Sequence, residues 1–174
     1  MSSLSSLRVL IVDKNTFIAK TLYSILEAFG VRNIVINKSL EDAEKSFYNK
    51  CYDVVFVDFM IEKRSGIDFI KNIRASKTEK NPSDLPVILN TGMTDIDTIM
   101  MARDAGVTEV ISKPFSPDQV YQKTYNALNN MREFIDVDEY IGPTRRRRKM
   151  NKPEWAGEND RRNLDKQNTT NDDC

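Results

Sequence analysis

The chain has 174 residues, 40% of them apolar, which is enough for one core of ordinary size with chain to spare. Lys+Arg and Asp+Glu balance at 26 each, and there is no histidine, so His-ligated zinc and every Ser-His or Cys-His nucleophile pair are excluded. No apolar run approaches the roughly 20 residues that span a bilayer, MSSLSSLRVLIV lacks the features of a signal peptide, and Cys51 and Cys174 suggest no disulfide framework, so a cytoplasmic protein without membrane insertion is expected.

Five short apolar runs alternate with amphipathic stretches. After an N-terminal extension of residues 1–6, Arg8–Val12 (RVLIV) reads as a strand ending at Asp13. Phe17, Ile18, Leu22, Ile25, Leu26 and Phe29 then recur at helical spacing, with Gly30 as the stop signal. Asn33–Ile36 is a second strand, and Ser39 is placed to cap a helix from Leu40 to about Asn49. The third run, Val54–Val57, has the β-branched and aromatic character of a strand buried on both faces, yet it stops on Asp58. Ile67, Ile70 and Ile73 mark a helix to about Ser76, and KTEKNPSD is a polar loop. A fourth strand, Pro86–Asn90, ends at Thr91. A helix from about Asp95 stops at Ala105-Gly106, and a fifth strand, Glu109–Ser112, precedes Lys113-Pro114. Ser116-Pro117-Asp118-Gln119 is a capping box opening a long helix to about Phe134.

Five βα units with short connections predict an α/β domain over residues 7–134, a parallel sheet covered by helices on both faces. Residues 1–140 carry 17 Lys+Arg against 20 Asp+Glu, and 141–174 carry 9 against 6, so a mildly acidic body is joined to a mildly basic end. Residues 135–174 are expected to be a polar tail without fixed structure, because a segment with so little apolar area cannot offset chain entropy. Gly142-Pro143 reads as its hinge, and Trp155 as the tail residue suited to anchor a partner. Arg145–Arg148 is either a nucleic-acid contact or, by the commoner reading of such runs, a solvated or partner-docking segment.

In open parallel sheets ligands bind beyond the carboxyl ends of the strands. Asp13, Asp58, Thr91 and Lys113 each stand at or just past such an end, so four polar groups share one sheet edge. A carboxylate buried there is costly unless paired. Two carboxylates, an ammonium and a hydroxyl suit phosphate or Mg²⁺ chemistry, and a carboxylate can itself act as nucleophile to form an aspartyl phosphate.

These motifs, in order, resemble the receiver domain of two-component response regulators. They are Asp13 after strand one, Asp58 after strand three with Gly66 eight residues on, Thr91-Gly92 after strand four, Ala105-Gly106, and the triplet Lys113-Pro114-Phe115. The resemblance implies the CheY-like, flavodoxin-type fold, doubly wound with strand order 2-1-3-4-5. It implies Asp58 as phospho-acceptor and a Mg²⁺ site made from Asp13, Asp58 and the Met60 backbone carbonyl. Thr91 would be the hydroxyl that follows the phosphoryl group, and Lys113 its counter-charge. It further implies a histidine kinase or phosphotransfer protein as donor and a downstream protein as target, in a signalling module that catalyses only its own phosphorylation and dephosphorylation.

Three positions depart from the family pattern. Lys14 stands where a second acid is usual and should weaken Mg²⁺ binding or partly replace it. Val110 occupies the switch position where an aromatic is frequent. Glu62 replaces a usual proline, either as a substitute metal carboxylate or, in the favoured reading, as a solvated loop charge. Met60 and Met93 lie two residues past Asp58 and Thr91, where apolar side chains would exclude attacking water and slow phosphate loss. The expectation is a stand-alone response regulator receiver acting through protein–protein contacts. The alternatives are an unphosphorylated pseudo-receiver scaffold, with Lys14 paired to Asp58 or Asp13, and a nucleic-acid adaptor using the arginine run.

Overall fold

In a computed structural model, which describes residues 4–62, 64–76, 78, 80–129, 132–137 and 139–145, each apolar run becomes a strand. After a 3-10 turn at Leu4–Ser6 come β1 (Arg8–Val12), α1 (Thr16–Ala28), β2 (Asn33–Asn37), α2 (Leu40–Asn49) and β3 (Val54–Asp58). A small antiparallel pair follows, β4 (Met60–Ile61) with β5 (Arg64–Ser65), and then α3 (Gly66–Ala75), β6 (Val87–Thr91) and α4 (Ile96–Asp104). The chain continues through β7 (Glu109–Ser112) and α5 (Pro117–Asn129) into an antiparallel hairpin, β8 (Phe134–Val137) with β9 (Tyr140–Pro143).

The five long-range strands form one parallel sheet in the order β2-β1-β3-β6-β7, which is the doubly wound, flavodoxin-like arrangement. Alternation along the strands splits the core into two layers. Val9, Ile11, Phe56, Ile88 and Ile111 pack with Leu22 and Leu26 of α1 and Val120 and Ala127 of α5. Leu10, Val55, Val57, Val87 and Leu89 pack with residues of α2, α3 and α4, Phe47, Ile70 and Ala102 among them. The central strands are therefore buried on both sides, which is why they read as continuous apolar runs.

Local chemistry sets the helix ends. Ser39 Oγ accepts from Asp42 N, and Ser65 Oγ from Ile67 N, at 3.2 Å each. At α5 the capping box closes in both directions, with Ser116 N donating to Gln119 Oε1 and Gln119 N to Ser116 Oγ. Gly106 ends α4's turn at φ +81°, a left-handed conformation that favours glycine.

The end of the domain differs from the expectation. Helix α5 is Pro117–Asn129 and does not reach Phe134, where β8 (Phe134–Val137) pairs with β9 (Tyr140–Pro143) in a folded hairpin, so a structureless tail does not begin at 135. Gly142-Pro143 is buried in β9 and is no hinge. The hairpin covers Arg74, a buried guanidinium with no carboxylate in hydrogen-bonding contact among the described residues. Arg74 donates to the carbonyls of Gly106 (2.9 Å), Ser83 and Leu85 (2.7 Å each) and to Thr108 Oγ1, and it stacks under the Phe134 ring. Burial draws its pKa down to about 10, so it remains a cation at neutral pH. Arg132 fastens the other side, donating to Val107 O, Thr108 O and Thr144 O. Truncation after Glu133 is expected to lower the unfolding free energy by about 1–3 kcal/mol through exposure of this polar layer, as read by urea unfolding.

Candidate functional site

Register and pleat bring the strand ends together. Val12 pairs with Val57 and Asp58 with Asn90, so Asp13, Asp58 and Lys113 meet where β1, β3 and β7 run out. Lys113 Nζ donates to Asp13 Oδ2 at 2.7 Å and to Asp58 Oδ1 at 2.9 Å, and its side chain is only 16% exposed. Asp13 is almost wholly buried, and its second oxygen accepts from Asn15 N at 2.8 Å. Asn15 in turn caps α1, so the helix start and the carboxylate are positioned by one loop. Burial pushes the Asp58 carboxyl above the usual carboxylate range. Asp13 adds to the rise, while Lys113 and the Met60 N–H oppose it. One ammonium thus bridges two carboxylates in a partly desolvated rim.

The spacing from Asp58 to Gly66 has a steric cause. A Cβ on Gly66 would overlap the Asp58 carbonyl oxygen and stand 2.8 Å from Val57 Cγ1, so α3 can start against the end of β3 only with glycine there. Gly66 N also donates to Phe59 O at 2.8 Å.

Other residues expected at the site are placed nearby but engaged elsewhere. The Thr91 hydroxyl is buried and does not reach Asp58; it accepts from Met93 N and donates to Met93 O, both at 2.9 Å. Lys14 forms no ion pair with Asp13 or Asp58. Its ammonium instead leans on the Glu62 carbonyl at 3.4 Å, contrary to the permanent Lys14 pairing of the scaffold alternative. Glu62 is an exposed turn residue at φ +58° between β4 and β5, and its side chain joins no ion pair among the described residues. Met60 and Met93 are 41% and 44% exposed at the rim. Val110, half-buried, packs on the α2/α3/α4 side of the core. The Lys113-Pro114 peptide is cis. Arg145 stacks on the Tyr140 ring at 4.5 Å and pairs with Asp104, while Arg146–Arg148, Trp155 and Cys174 lie outside the described residues.

Sequence reasoning missed Asn90. It sits beside Asp58 in the sheet, 1% exposed, and neither atom of its amide has a hydrogen-bond partner among the described residues. The available signal was a polar residue in the otherwise apolar run VILN.

The family described as response regulator receiver domain matches residues 9–125. The chain belongs to that family. It is therefore a CheY-like receiver of the two-component type, a signalling domain rather than a metabolic enzyme. Curated relatives of the receiver include the transcriptional regulatory protein ZraR of Klebsiella oxytoca, 28% identical over 71% of this chain and 27% of the relative. The probable transcriptional regulator ycf27 of Guillardia theta is 31% identical over 65% of this chain and 42% of its own. The receiver thus spans between a quarter and a half of these relatives' length. Among solved structures, a response regulator of Chloroflexus aurantiacus J-10-fl matches with TM-score 0.65 and 25% identity, covering 70% of this chain and 97% of that one. The beryllofluoride-activated NtrC4 receiver domain dimer matches with TM-score 0.63 and 31% identity, covering 71% and 97%. No helix among the described residues of the receiver is long and apolar enough to cross a membrane.

Proposed function

We propose that this receiver accepts a phosphoryl group on Asp58 from the phosphohistidine of a histidine kinase or phosphotransfer protein, in the cytoplasm, and passes the signal to a downstream protein through a changed surface. The observation that carries the reading is the Lys113 ammonium bound to Asp13 and Asp58 at once. As an Asp58 carboxylate oxygen bonds to phosphorus, the bond from phosphorus to the donor imidazole nitrogen breaks. Lys113 is already within reach of the acceptor and supplies positive charge to the arriving oxygens. Asp13, fixed by Asn15 N, keeps that ammonium at the rim. Thr91 would leave Met93 to donate its hydroxyl to a phosphoryl oxygen, shifting the loop before α4 in a two-state manner.

The donor set fits Mg²⁺, which proteins commonly hold with one or two carboxylates alongside phosphate oxygens and water. Asp13, Asp58 and the Met60 carbonyl would hold it, and it would neutralise charge on the phosphoryl oxygens. With Lys14 in place of a further acid, its affinity should be low. Met60 and Met93, flanking the rim, would keep water from the acyl phosphate.

The reading is tested by incubating the full chain with acetyl phosphate and Mg²⁺ and weighing it intact. Wild type is expected to gain one phosphoryl group, Asp58→Asn none, and Lys14→Asp one at a lower Mg²⁺ concentration. Equal incorporation in Asp58→Asn, or none in wild type, would overturn it.

A further inference from the structure

A buried primary amide with no partner destabilises the fold, and a leucine of similar shape would remove that penalty. Asn90 bears it at a particular place. Its register partners are Asp58 on one side and Ile111 on the other. Ile88, two residues before it, and Ile111 beside it both belong to the layer under α1 and α5. By pleat alternation Asn90 shares that face with Asp58 and with Lys113, two residues past Ile111. Adjacent strands lie roughly 4.8 Å apart, so the Asn90 side chain is the immediate lateral neighbour of the acceptor carboxylate. Both of its polar atoms are sealed from solvent.

Loading Asp58 changes what its surroundings must supply. In the structure Lys113 satisfies Asp58 Oδ1. An arriving phosphoryl group carries more negative charge than that oxygen and draws the ammonium to itself, leaving a carboxyl oxygen without its N–H donor where the Asp58 side chain is only 13% exposed. An amide carries two N–H donors and a carbonyl acceptor.

We propose that Asn90 is a positioning residue of the acceptor site, its side-chain amide donating to the Asp58 oxygen that Lys113 releases when Asp58 is loaded. The inference rests on Asp58 being the acceptor. It makes the amide a partner held ready for the loaded state, at a steady penalty to the resting one.

The test uses the full chain, Mg²⁺ and beryllofluoride. NMR follows the Asn90 side-chain amide protons in wild type, which needs no substitution at that position, and fluorine NMR gives the affinity of wild type, Asn90→Leu and Asp58→Asn. Expected are a clear shift of the Asn90 amide signals on beryllofluoride binding, absent in Asp58→Asn, and binding by Asn90→Leu weakened by roughly tenfold or more. Urea unfolding of Asn90→Leu should show a more stable fold, so that weaker binding cannot be assigned to a damaged domain. Unmoved Asn90 signals in a wild type that binds, together with Asn90→Leu affinity within about twofold of wild type, would overturn the inference and leave the acceptor reading standing. Wild-type spectra as unresponsive as those of Asp58→Asn would overturn both.

Discussion

Lys113→Met is expected to lower the unfolding free energy by about 3–5 kcal/mol near neutral pH and to abolish phosphoryl uptake. The methylene stem is kept, but the ammonium that bridges Asp13 and Asp58 is gone, and two largely buried carboxylates face each other. The pH dependence follows from the direction of the Asp58 shift. Its folded pKa already lies above the ordinary 3.8, and losing Lys113 removes a contribution that lowers it. Between the unfolded and folded values the native state holds the proton and the unfolded state does not, so stability falls as pH rises through that window. The variant should therefore lose stability more steeply than wild type on going from acid to neutral pH, and recover toward wild type in acid. Urea unfolding at several pH values reads this directly. A variant with wild-type stability at pH 7 would show that the ammonium is not what holds the rim together.

The second large effect is at Gly66. Gly66→Ala is expected to lower stability by about 2–4 kcal/mol, because the new methyl meets the Asp58 carbonyl oxygen and Val57 Cγ1, neither of which can swing aside. Relief requires the end of β3 or the start of α3 to move, and either displaces Asp58 from Lys113, so acetyl phosphate uptake should fall with it. Gly92→Ala is the matched control. Nothing lies within 4 Å of a Cβ there, and a change within about 0.5 kcal/mol is expected. Equal stability of the two variants would contradict the steric account.

How much of this was legible in the sequence depended on whether a signal was local. The strands were readable because burial on both faces leaves unbroken apolar runs, and Arg8–Val12 and Glu109–Ser112 form over the very residues that the pattern marks. The cap at Ser116 was readable because both of its partners lie within four residues. Asp13, Asp58 and Lys113 were readable because the sheet rule collects strand ends on one edge, and their contacts then follow. The hairpin was not readable. Its stability comes from Arg74, Arg132 and the turn at Gly106, between 2 and 60 residues away, and taken alone FIDV and YIGP carry weak strand signals beside a polar tail. Nor could sequence show that Lys14 turns to the Glu62 carbonyl, or that Thr91 is held by Met93, since both depend on loop geometry.

The meeting of Gly106 and Gly142 has a mechanical consequence. A Cβ on either glycine would strike the other segment's main chain, Ile141 O at 2.6 Å in one case and Gly106 Cα at 2.6 Å in the other. Main chain therefore rests on main chain, flanked by the Arg74 and Tyr140 side chains. A displacement of the turn that closes α4 bears directly on the backbone of β9, the strand that leads to Thr144 and Arg145.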